Sequence, residues 1–351
     1  TAADLRARLP FDKEINATID WGDGTIEENV TGTFPQHTYT DADYYVVSVK
    51  GSVPSINSSN INIASYNQAR QVTEIYNWGR TGLTSMESAL YQCTELKKIA
   101  TDKTEAFADV TSFKSAFYHC DILEEIPGGF LDYAAKLKTV EGMFQFAYAV
   151  NKIPDALFHK CPALESVRMA FSYTSIEQVP EDFFAHNPEL ANVGVVFSST
   201  KLKTVPEKLF ASNPKIDDFS SIFSGVATLE SIPENIFANQ PECKSFYYTF
   251  QGTGLKTIPA KLFANNKKCT DFRSTFNGTK ITSIPETLFA SCPNVTTFMT
   301  CFSGCTELQS IPGDLFKNSG AFQSLATNAF NNIFKGCTSL TEIPAGLFDG
   351  F

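Results

Sequence analysis

Cysteine and histidine are the residue types in this chain of 351 residues whose side chains could most readily do chemistry. The closest pair of cysteines, Cys301 and Cys305, has a spacing that a structural zinc site can use. Such a site takes four ligands, however, and no histidine or second cysteine pair stands beside these two in the sequence. The pattern therefore favours a structural role for both thiols, and we expect no metal site.

A cysteine nucleophile activated by a neighbouring histidine is the second chemistry to consider. His119 and His186 each lie two residues after a phenylalanine, and they are followed by Cys120 and Asn187. Cysteine, asparagine and threonine alternate at such places, which is typical of buried turns whose small side chains bond to backbone groups. The sequence contains no nucleophile-elbow, phosphate-loop or zinc-peptidase motif. We expect no enzymatic activity and no cofactor.

These residues are positioned by a repeat that fills most of the chain. A β-branched residue followed by proline recurs at intervals of 26 or 27 residues, with a last interval of 32. The prolines are Pro127, Pro154, Pro180, Pro206, Pro233, Pro259, Pro285, Pro312 and Pro344. Ile75 and Ile99 occupy the same position without a proline, which makes eleven anchors. A fixed period over this length is the signature of stacked units, so the sequence predicts a solenoid of about eleven rungs.

Each rung is predicted to hold a short strand and a short helical turn, which makes the fold class an α+β repeat. In one representative rung the strand is Ile281–Ile284, and Pro285 ends it because proline has no N–H to donate. The φ angle of proline also suits the first turn of a helix. Val295, Phe298 and Phe302 follow at spacings of three and four, which fits a helix or a repeat coil seen from one side. The glycines that close each segment are expected to have positive φ.

The first 53 residues do not share the repeat and are predicted to form a small β module. Ile15 to Trp21 and Tyr44 to Val49 have the composition of strands, and Gly22-Asp23-Gly24 has that of a tight turn. Asp20 and Asp23 offer carboxylates that calcium could use. An aspartate in a turn more often bonds to nearby backbone, and we favour that role here.

These patterns divide the chain into a β module at 1–53, a linker at 54–70 and the solenoid at 71–351. The linker is rich in serine and asparagine. The whole chain has a net charge of −10 and a pI near 5.0, which argues against a nucleic-acid partner because such binding needs a positive surface. No run of apolar residues approaches the roughly 20 that a membrane-spanning helix requires.

Three segments of the repeat, AFYHCDILEEIP, CFSGCTELQSIP and IFKGCTSLTEIP, resemble the unit of the BspA-like leucine-rich repeats of bacterial surface proteins. The resemblance covers about Gln71 to Phe351 and implies a right-handed solenoid of the leucine-rich-repeat type. Members of that group are implicated in adhesion to host matrix proteins and to other bacteria. The resemblance therefore implies a cell-surface or secreted adhesion protein, and it is compatible with a lipid anchor in a segment outside this chain.

The N-terminal module carries a second resemblance. IDWGDGT, from Ile19, and HTYTDADYYVVSVKG, from His37, are similar to the hairpin and strand entry of polycystic-kidney-disease (PKD)-like β-sandwiches. The chain leaves little room for the last strands of such a sandwich. The resemblance implies an extracellular spacer or adhesion module on a bacterial surface protein.

A binding function should lie in the residues that vary between the fixed core positions, because a solenoid presents them as columns. One column reads Arg168, Gly194, Ser220, Tyr247, Arg273 and Met299, and the next reads Met169, Val195, Ser221, Tyr248, Ser274 and Thr300. Tyrosine, arginine and methionine are enriched in protein interfaces. The candidate partner-binding residues are Arg168, Met169, Val195, Tyr247, Tyr248, Arg273 and Met299, with Tyr247, Tyr248 and Arg273 at the centre. The partner would be a matrix or surface protein.

Glycan binding is the alternative function, and it would use exposed aromatic rings as platforms for sugars. The tyrosines that could serve are Tyr148, Tyr173, Tyr247 and Tyr248. The arrangement of the rings distinguishes the two functions. Coplanar rings along a shallow groove favour a sugar, whereas a broad mixed surface favours a protein.

Overall fold

The structure is a computed structural model that describes residues 5–59, 71–319 and 328–348. Its buried hydrophobic residues form two cores. The smaller core surrounds Trp21 in the N-terminal β module, and the larger one runs through the repeats from Trp78 to Leu347. Ile56 packs against both cores, so the module and the solenoid are in direct contact.

The β module consists of five short antiparallel strands in two sheets. The strands are β1 (Arg6–Arg8), β2 (Ile15–Asp20), β3 (Ile26–Gly32), β4 (Gln36–Thr38) and β5 (Ser48–Ser52). One sheet pairs β1 with β4, and the other has the order β3-β2-β5. Ile15, Ala17 and Ile19 of β2 are buried while the residues between them are not, because successive side chains of a strand point to opposite faces.

The strand predicted over Tyr44 to Val49 begins later than expected, at Ser48. Tyr45 lies before it and stacks on Tyr39, with ring centroids 4.1 Å apart. The turn after β2 has the predicted form. The Gly22 N–H donates to Asp20 Oδ1 at 2.9 Å, and the Thr25 N–H donates to Asp23 Oδ1 at 2.9 Å, so both aspartates cap backbone groups of the turn.

The first residues of the predicted linker pair with the start of the solenoid. Ser55 forms a parallel bridge with Ser85, and the Ser58 N–H donates to the Ser88 carbonyl at 2.9 Å. The Asn57 N–H donates back to Pro10 in the β module at 2.7 Å. Residues 54–59 thus connect the two parts through backbone bonds, and the rest of the predicted linker lies outside the described residues.

Successive rungs are joined by a ladder of backbone hydrogen bonds in which every second N–H takes part. The Ser221 N–H donates to the Tyr247 carbonyl at 2.8 Å, and the Phe223 N–H donates to the Thr249 carbonyl at 3.1 Å, in the next rung. The N–H groups between them stay within their own rung, as when Ser224 donates to the Ser221 carbonyl three residues earlier. Both sets of donors are satisfied, as buried backbone requires.

Two positions in each rung, four residues apart, have a left-handed backbone with φ between +53° and +79°. The first column is Ser88, Ser115, Gly142, Met169, Val195, Ser221, Tyr248, Ser274, Thr300 and Asn332. The second is Gln92, His119, Phe146, Tyr173, Ser199, Gly225, Gly252, Gly278, Gly304 and Gly336. These are the ten coils between the eleven anchors. The positive φ expected at the closing glycines is confirmed.

The described residues contain no α-helix, so the predicted helical turns and the α+β description are not confirmed. It follows that these residues hold no helix long and apolar enough to cross a membrane. After Pro285 the chain forms turns in which an N–H bonds three residues back: Leu288 donates to Pro285 at 3.1 Å and Cys292 donates to Phe289 at 3.0 Å. A left-handed residue in each ladder segment, such as Thr300, prevents a helix there.

The strand predicted at Ile281–Ile284 is also placed differently. That segment is not a regular strand: it has an isolated parallel bridge between Ser283 and Ser310 and two inter-rung backbone bonds at Thr282. The regular ladder instead includes the segment that holds Phe298 and Phe302. The spacing of three and four residues had suggested a helix for this segment. The alternative interpretation of that spacing, a repeat coil seen from one side, agrees with the structure.

The solenoid core is built from phenylalanine stacks that run along its axis. Phe276 stacks on Phe250 and on Phe302, with ring centroids 5.5 Å apart in both cases. This arrangement explains most of the phenylalanines that the structure describes, because the same ring position recurs in rung after rung. A rung cannot bury its own rings, so stacking of neighbours supplies most of the hydrophobic stabilisation.

Candidate binding surfaces

The two columns predicted as a binding surface lie side by side, and backbone bonds hold them in register. The Met169 N–H donates to the Gly194 carbonyl at 3.0 Å, and the Tyr248 N–H donates to the Arg273 carbonyl at 3.1 Å. The seven half-buried candidates are Arg168, Met169, Val195, Tyr247, Tyr248, Arg273 and Met299. Because the second column is also the first left-handed position of each rung, its side chains leave the coil from a fixed backbone conformation.

Tyr247, Tyr248 and Arg273 form one cluster, which we call the Tyr-Arg patch. The rings of Tyr247 and Tyr248 have centroids 4.0 Å apart, and the Arg273 guanidinium lies 4.7 Å from the Tyr247 centroid. Asp271 fixes this guanidinium, since Arg273 Nε lies 3.0 Å from both carboxylate oxygens and Nη2 lies 2.6 Å from Oδ2. The hydrogen bonds to Asp271 raise the pKa of Arg273. The patch is a surface with aromatic, cationic and anionic groups in direct contact.

The other four candidates lie outside the Tyr-Arg patch. Arg168 Nη1 lies 3.4 Å from Glu141 Oε1 and 3.5 Å from Met169 Sδ, so the structure brings Arg168 and Met169 together. Val195 lies in the rung after them, and Met299 lies one rung beyond Arg273. The seven residues therefore share two columns but not one contact surface.

The four tyrosines expected to bind sugars do not form a single platform. Arg273 covers one face of the Tyr247 ring, and Tyr248 packs against the same ring. Tyr148 and Tyr173 lie several rungs earlier and are more exposed, at 47% and 42%. They belong to a different group of rings.

We call this second group the aromatic strip, made of residues 91–94, 118–121, 145–148 and 172–175. Its rings are Tyr91, Tyr118, His119, Phe146, Tyr148 and Tyr173. Tyr91 and Tyr118 stack at 4.7 Å, while Phe146 stacks on His119 at 4.5 Å and on Tyr173 at 4.7 Å. Four of these rings, those of Tyr91, Tyr118, His119 and Phe146, were not predicted as site residues. The recurrence of an aromatic residue just before or at the closing position could have revealed them.

The structure gives Cys120 a role other than nucleophile. Its thiol is buried and donates to the Leu90 carbonyl at 3.2 Å, and burial raises its pKa well above the usual value. The adjacent His119 instead has its Nδ1 3.1 Å from Asp121 Oδ1. The thiol is therefore directed at backbone and not at the imidazole. A buried thiol with a raised pKa is a poor nucleophile.

The candidate metal pair is also buried in the coil. Cys301 and Cys305 are both inaccessible, and Cys305 Sγ lies 3.3 Å from Thr279 Oγ1. Across the described ranges, no three His, Cys, Asp or Glu side chains are arranged so that they could hold a metal ion.

A stack of short coils that share one core and a parallel backbone ladder is the architecture of a leucine-rich-repeat-type solenoid. The family model described as the BspA type leucine rich repeat region matches residues 133–270 and 227–343, in six copies. Together these matches cover more than half of the chain, and the chain belongs to this family. The resemblance inferred from the repeat segments is confirmed. The matched residues do not include the N-terminal β module.

Solved structures that this chain matches include a leucine-rich repeat protein from Bacteroides ovatus. It is 19% identical with a TM-score of 0.37, over 93% of this chain and 68% of that one. A chain of the Drosophila Toll–Spatzle complex is 16% identical with a TM-score of 0.27, over 70% of this chain and 40% of that one. The APL1 leucine-rich repeat domain is 12% identical with a TM-score of 0.34, over 77% and 66%. A comparison with curated proteins found no match.

Proposed function

We propose that this protein is a non-enzymatic adhesion protein of the cell surface or extracellular space, and that the Tyr-Arg patch binds a protein partner. Leucine-rich repeat proteins commonly bind other proteins, and membership of the family supports this class of function. The observation that carries the proposal is the fixed position of Arg273 between Asp271 and Tyr247.

The patch has the properties of an interface hot spot. Tyrosine and arginine are the residues that most often dominate binding energy. Arg273 is already held in place, so a partner that contacts it does not have to order a flexible side chain. Its charge is balanced by Asp271, which lowers the cost of covering it. The preceding rung has only Ser220 and Ser221 in the same columns, so no large side chain at those positions covers the tyrosine rings from that side.

The N-terminal β module is assigned in this proposal to the PKD-like group, as a spacer or accessory adhesion module. Two features support the assignment. Its Asp20 to Thr25 turn has the hydrogen bonds of a tight hairpin, and His37 stacks on Trp21 with ring centroids 5.1 Å apart. The contacts of residues 55–58 with the solenoid would then hold the module at the N-terminal end of the solenoid.

The test of the proposal is binding of the full chain to immobilised collagen, laminin and fibronectin, measured by biolayer interferometry. A triple variant with Tyr247→Ala, Tyr248→Ala and Arg273→Ala should lose at least tenfold in affinity with an unchanged circular dichroism spectrum. A matched triple variant with Tyr76→Ala, Tyr133→Ala and Arg80→Ala removes exposed groups elsewhere and should bind normally. Normal binding by the first variant would contradict the role of the patch.

Glycan binding is the second candidate function, and one observation favours it. Tyr148 and Tyr173, two of the four tyrosines expected to contact sugars, lie in one continuous aromatic strip on the solenoid surface. That strip is separate from the Tyr-Arg patch, so the two functions can be tested independently.

A further inference from the structure

The aromatic strip crosses four successive rungs, and Phe146 lies at its centre. The Phe146 ring stacks on His119 at 4.5 Å and on Tyr173 at 4.7 Å, and it contacts Tyr118 at 5.4 Å and Tyr148 at 6.1 Å. These rings are only partly buried, unlike the phenylalanine stacks of the core, which are inaccessible. The strip is a second, surface set of stacked rings, and the fold of the solenoid does not require it.

The backbone shows that aromatic residues are an unfavourable choice at this position. His119, Phe146 and Tyr173 have φ of +55°, +63° and +60°, a conformation that glycine adopts freely and that bulky residues rarely adopt. The later rungs have glycine at the same position, from Gly225 to Gly336. The coil imposes this conformation in every rung, so the aromatic residues here add strain that glycine would avoid, and their effect is to place three rings side by side on the surface.

The strip ends abruptly at Tyr173. The next rung has Ser199 at the equivalent position and the rung after that has Gly225, and residues 198–201 and 224–227 contain no aromatic residue. Among the described residues, no ring stacks on the side of Tyr173 away from Phe146. Tyr148 makes only tilted or edge contacts with its neighbours, at 59° and 71°. These two tyrosines are the exposed rings of the strip.

The strip also carries few ionisable groups. Apart from tyrosines and buried cysteines, its ionisable residues are His119 and Asp121, which pair at 3.1 Å. Its remaining polar side chains are mostly neutral amides and hydroxyls, such as Gln92 and Gln145. This contrasts with the Tyr-Arg patch, whose centre is a guanidinium, and with the inter-rung ion pairs elsewhere on the solenoid. A surface of this composition is complementary to an uncharged ligand with an apolar face and hydroxyl groups.

We propose that the aromatic strip is a binding site for a neutral carbohydrate chain. The apolar C–H face of a hexose packs on Tyr148 and on the open side of Tyr173, and its hydroxyls bond to the His119–Asp121 pair and to tyrosine hydroxyls. The stacked rings make three steps of 4.5 to 4.7 Å from rung to rung, so the surface that they line is long enough for a short oligosaccharide and not only one sugar. This inference rests on the glycan-binding candidate function and is independent of the protein-adhesion proposal.

The test is isothermal titration of the full chain with neutral gluco-, manno- and galacto-oligosaccharides, and with oligogalacturonate as an anionic counterpart. At least one neutral oligosaccharide should bind, and a variant with Tyr148→Ala and Tyr173→Ala should lose at least tenfold in affinity. Both side chains are exposed, so the variant should fold. Tyr133→Ala removes a tyrosine of similar exposure outside the strip and should bind as the unchanged protein does.

Each other outcome overturns a defined part of the proposal. If no oligosaccharide binds, the glycan-binding function itself is wrong. If the double variant retains affinity, the protein binds glycans at another site. If only the anionic oligosaccharide binds, the ligand is not a neutral sugar. If no neutral sugar binds but the double variant loses binding to matrix proteins, the strip binds protein and the ligand class is wrong. The triple variant of the Tyr-Arg patch should retain sugar binding, which separates failure of this site from failure of the adhesion proposal.

Discussion

The side-chain amide of Asn187 donates to the backbone carbonyl of Phe158, one rung earlier, at 2.9 Å. The same Nδ2 also donates to the Cys161 carbonyl at 2.8 Å. Asn213, Gln240 and Asn266 repeat the arrangement in the following rungs, and all four amides are inaccessible to solvent. The role expected for these positions, a small polar side chain that bonds to backbone inside the coil, is confirmed.

Asn213→Ala should lower the free energy of unfolding by about 1–2 kcal/mol, because two buried carbonyls lose their donor. The loss is not larger because Asn213 Oδ1 has no hydrogen-bond partner within the described residues. Urea unfolding followed by circular dichroism measures the change. Asn213→Cys should cost less than Asn213→Ala, since a thiol donates to backbone at the equivalent Cys292. Ser212→Ala, on the exposed side of the same turn, is the control. Equal losses for the alanine and cysteine variants would contradict this account.

Two glycines of one rung should respond differently to alanine. At Gly252, φ is +65° and an added Cβ would come no closer than 3.8 Å to Gly225, so the cost is backbone strain alone, about 1–2 kcal/mol. At Gly254, an added Cβ would lie 2.4 Å from the Ala227 carbonyl oxygen of the previous rung. Because backbone cannot move aside easily, Gly254→Ala should cost about 3 kcal/mol or more and shift the urea midpoint further. If Gly252→Ala proves the more harmful, close approach of the rungs is not what fixes Gly254.

The sequence predicts the solenoid well because β-branched residues followed by proline mark each coil, and because buried positions such as Leu288 and Phe289 keep the same offset from that proline. The sequence places the strand incorrectly. A spacing such as that of Val295, Phe298 and Phe302 shows which side chains are buried, but it does not show which backbone groups form hydrogen bonds between rungs. The positive φ angles of Thr300 and Tyr248 cannot be predicted from their residue types, whereas glycine often indicates a positive φ.

The candidate surfaces differ in how far the sequence reveals them. The period of 26 residues places Tyr247 and Arg273 next to each other, so the Tyr-Arg patch can be predicted by counting. The hydrogen bonds between Asp271 and Arg273 depend on side-chain conformation and cannot be predicted by counting. The aromatic strip is hard to predict because the closing position holds glycine in the later rungs, whereas His119 and Phe146 occupy it in earlier ones.

The nine cysteine thiols should be almost inert in the folded protein. All nine are buried, and burial raises the pKa of Cys93, Cys161 and Cys292 to about 12 and that of Cys305 to about 11. Since the thiolate is the reactive form, Ellman's reagent at pH 8 should react slowly with the native protein. In denaturant the same reagent should detect nine thiols. Ser212→Cys adds one exposed thiol and should give one fast equivalent. Fewer than nine thiols in denaturant, without reductant, would show that some are oxidised.

The Asp23–His37 pair should make the stability of the β module depend on pH in the acid range. Asp23 Oδ2 lies 2.7 Å from His37 Nε2, and this bond, followed by the one from the Thr25 N–H, lowers the pKa of Asp23 from 3.8 to about 2. A carboxyl group whose pKa is lower in the folded state stabilises the fold above its unfolded pKa. That contribution is lost as the pH falls from about 4 to about 2.

Asp23→Asn should therefore destabilise the module at pH 6, and its difference from the unchanged protein should shrink as the pH approaches 2. Trp21 stacks on His37 and reports on this region, and the chain has only one other tryptophan, so a Trp78→Phe background isolates the signal. Urea unfolding by tryptophan fluorescence at pH 6, 4 and 2.5 measures the effect. Asp43→Asn removes a carboxylate that forms no ion pair among the described residues and should show a weaker trend. A loss of stability for Asp23→Asn that stays constant with pH would contradict this account. It would mean that the charge of Asp23 stabilises neither the pair with His37 nor the bond from the Thr25 N–H, which asparagine can keep.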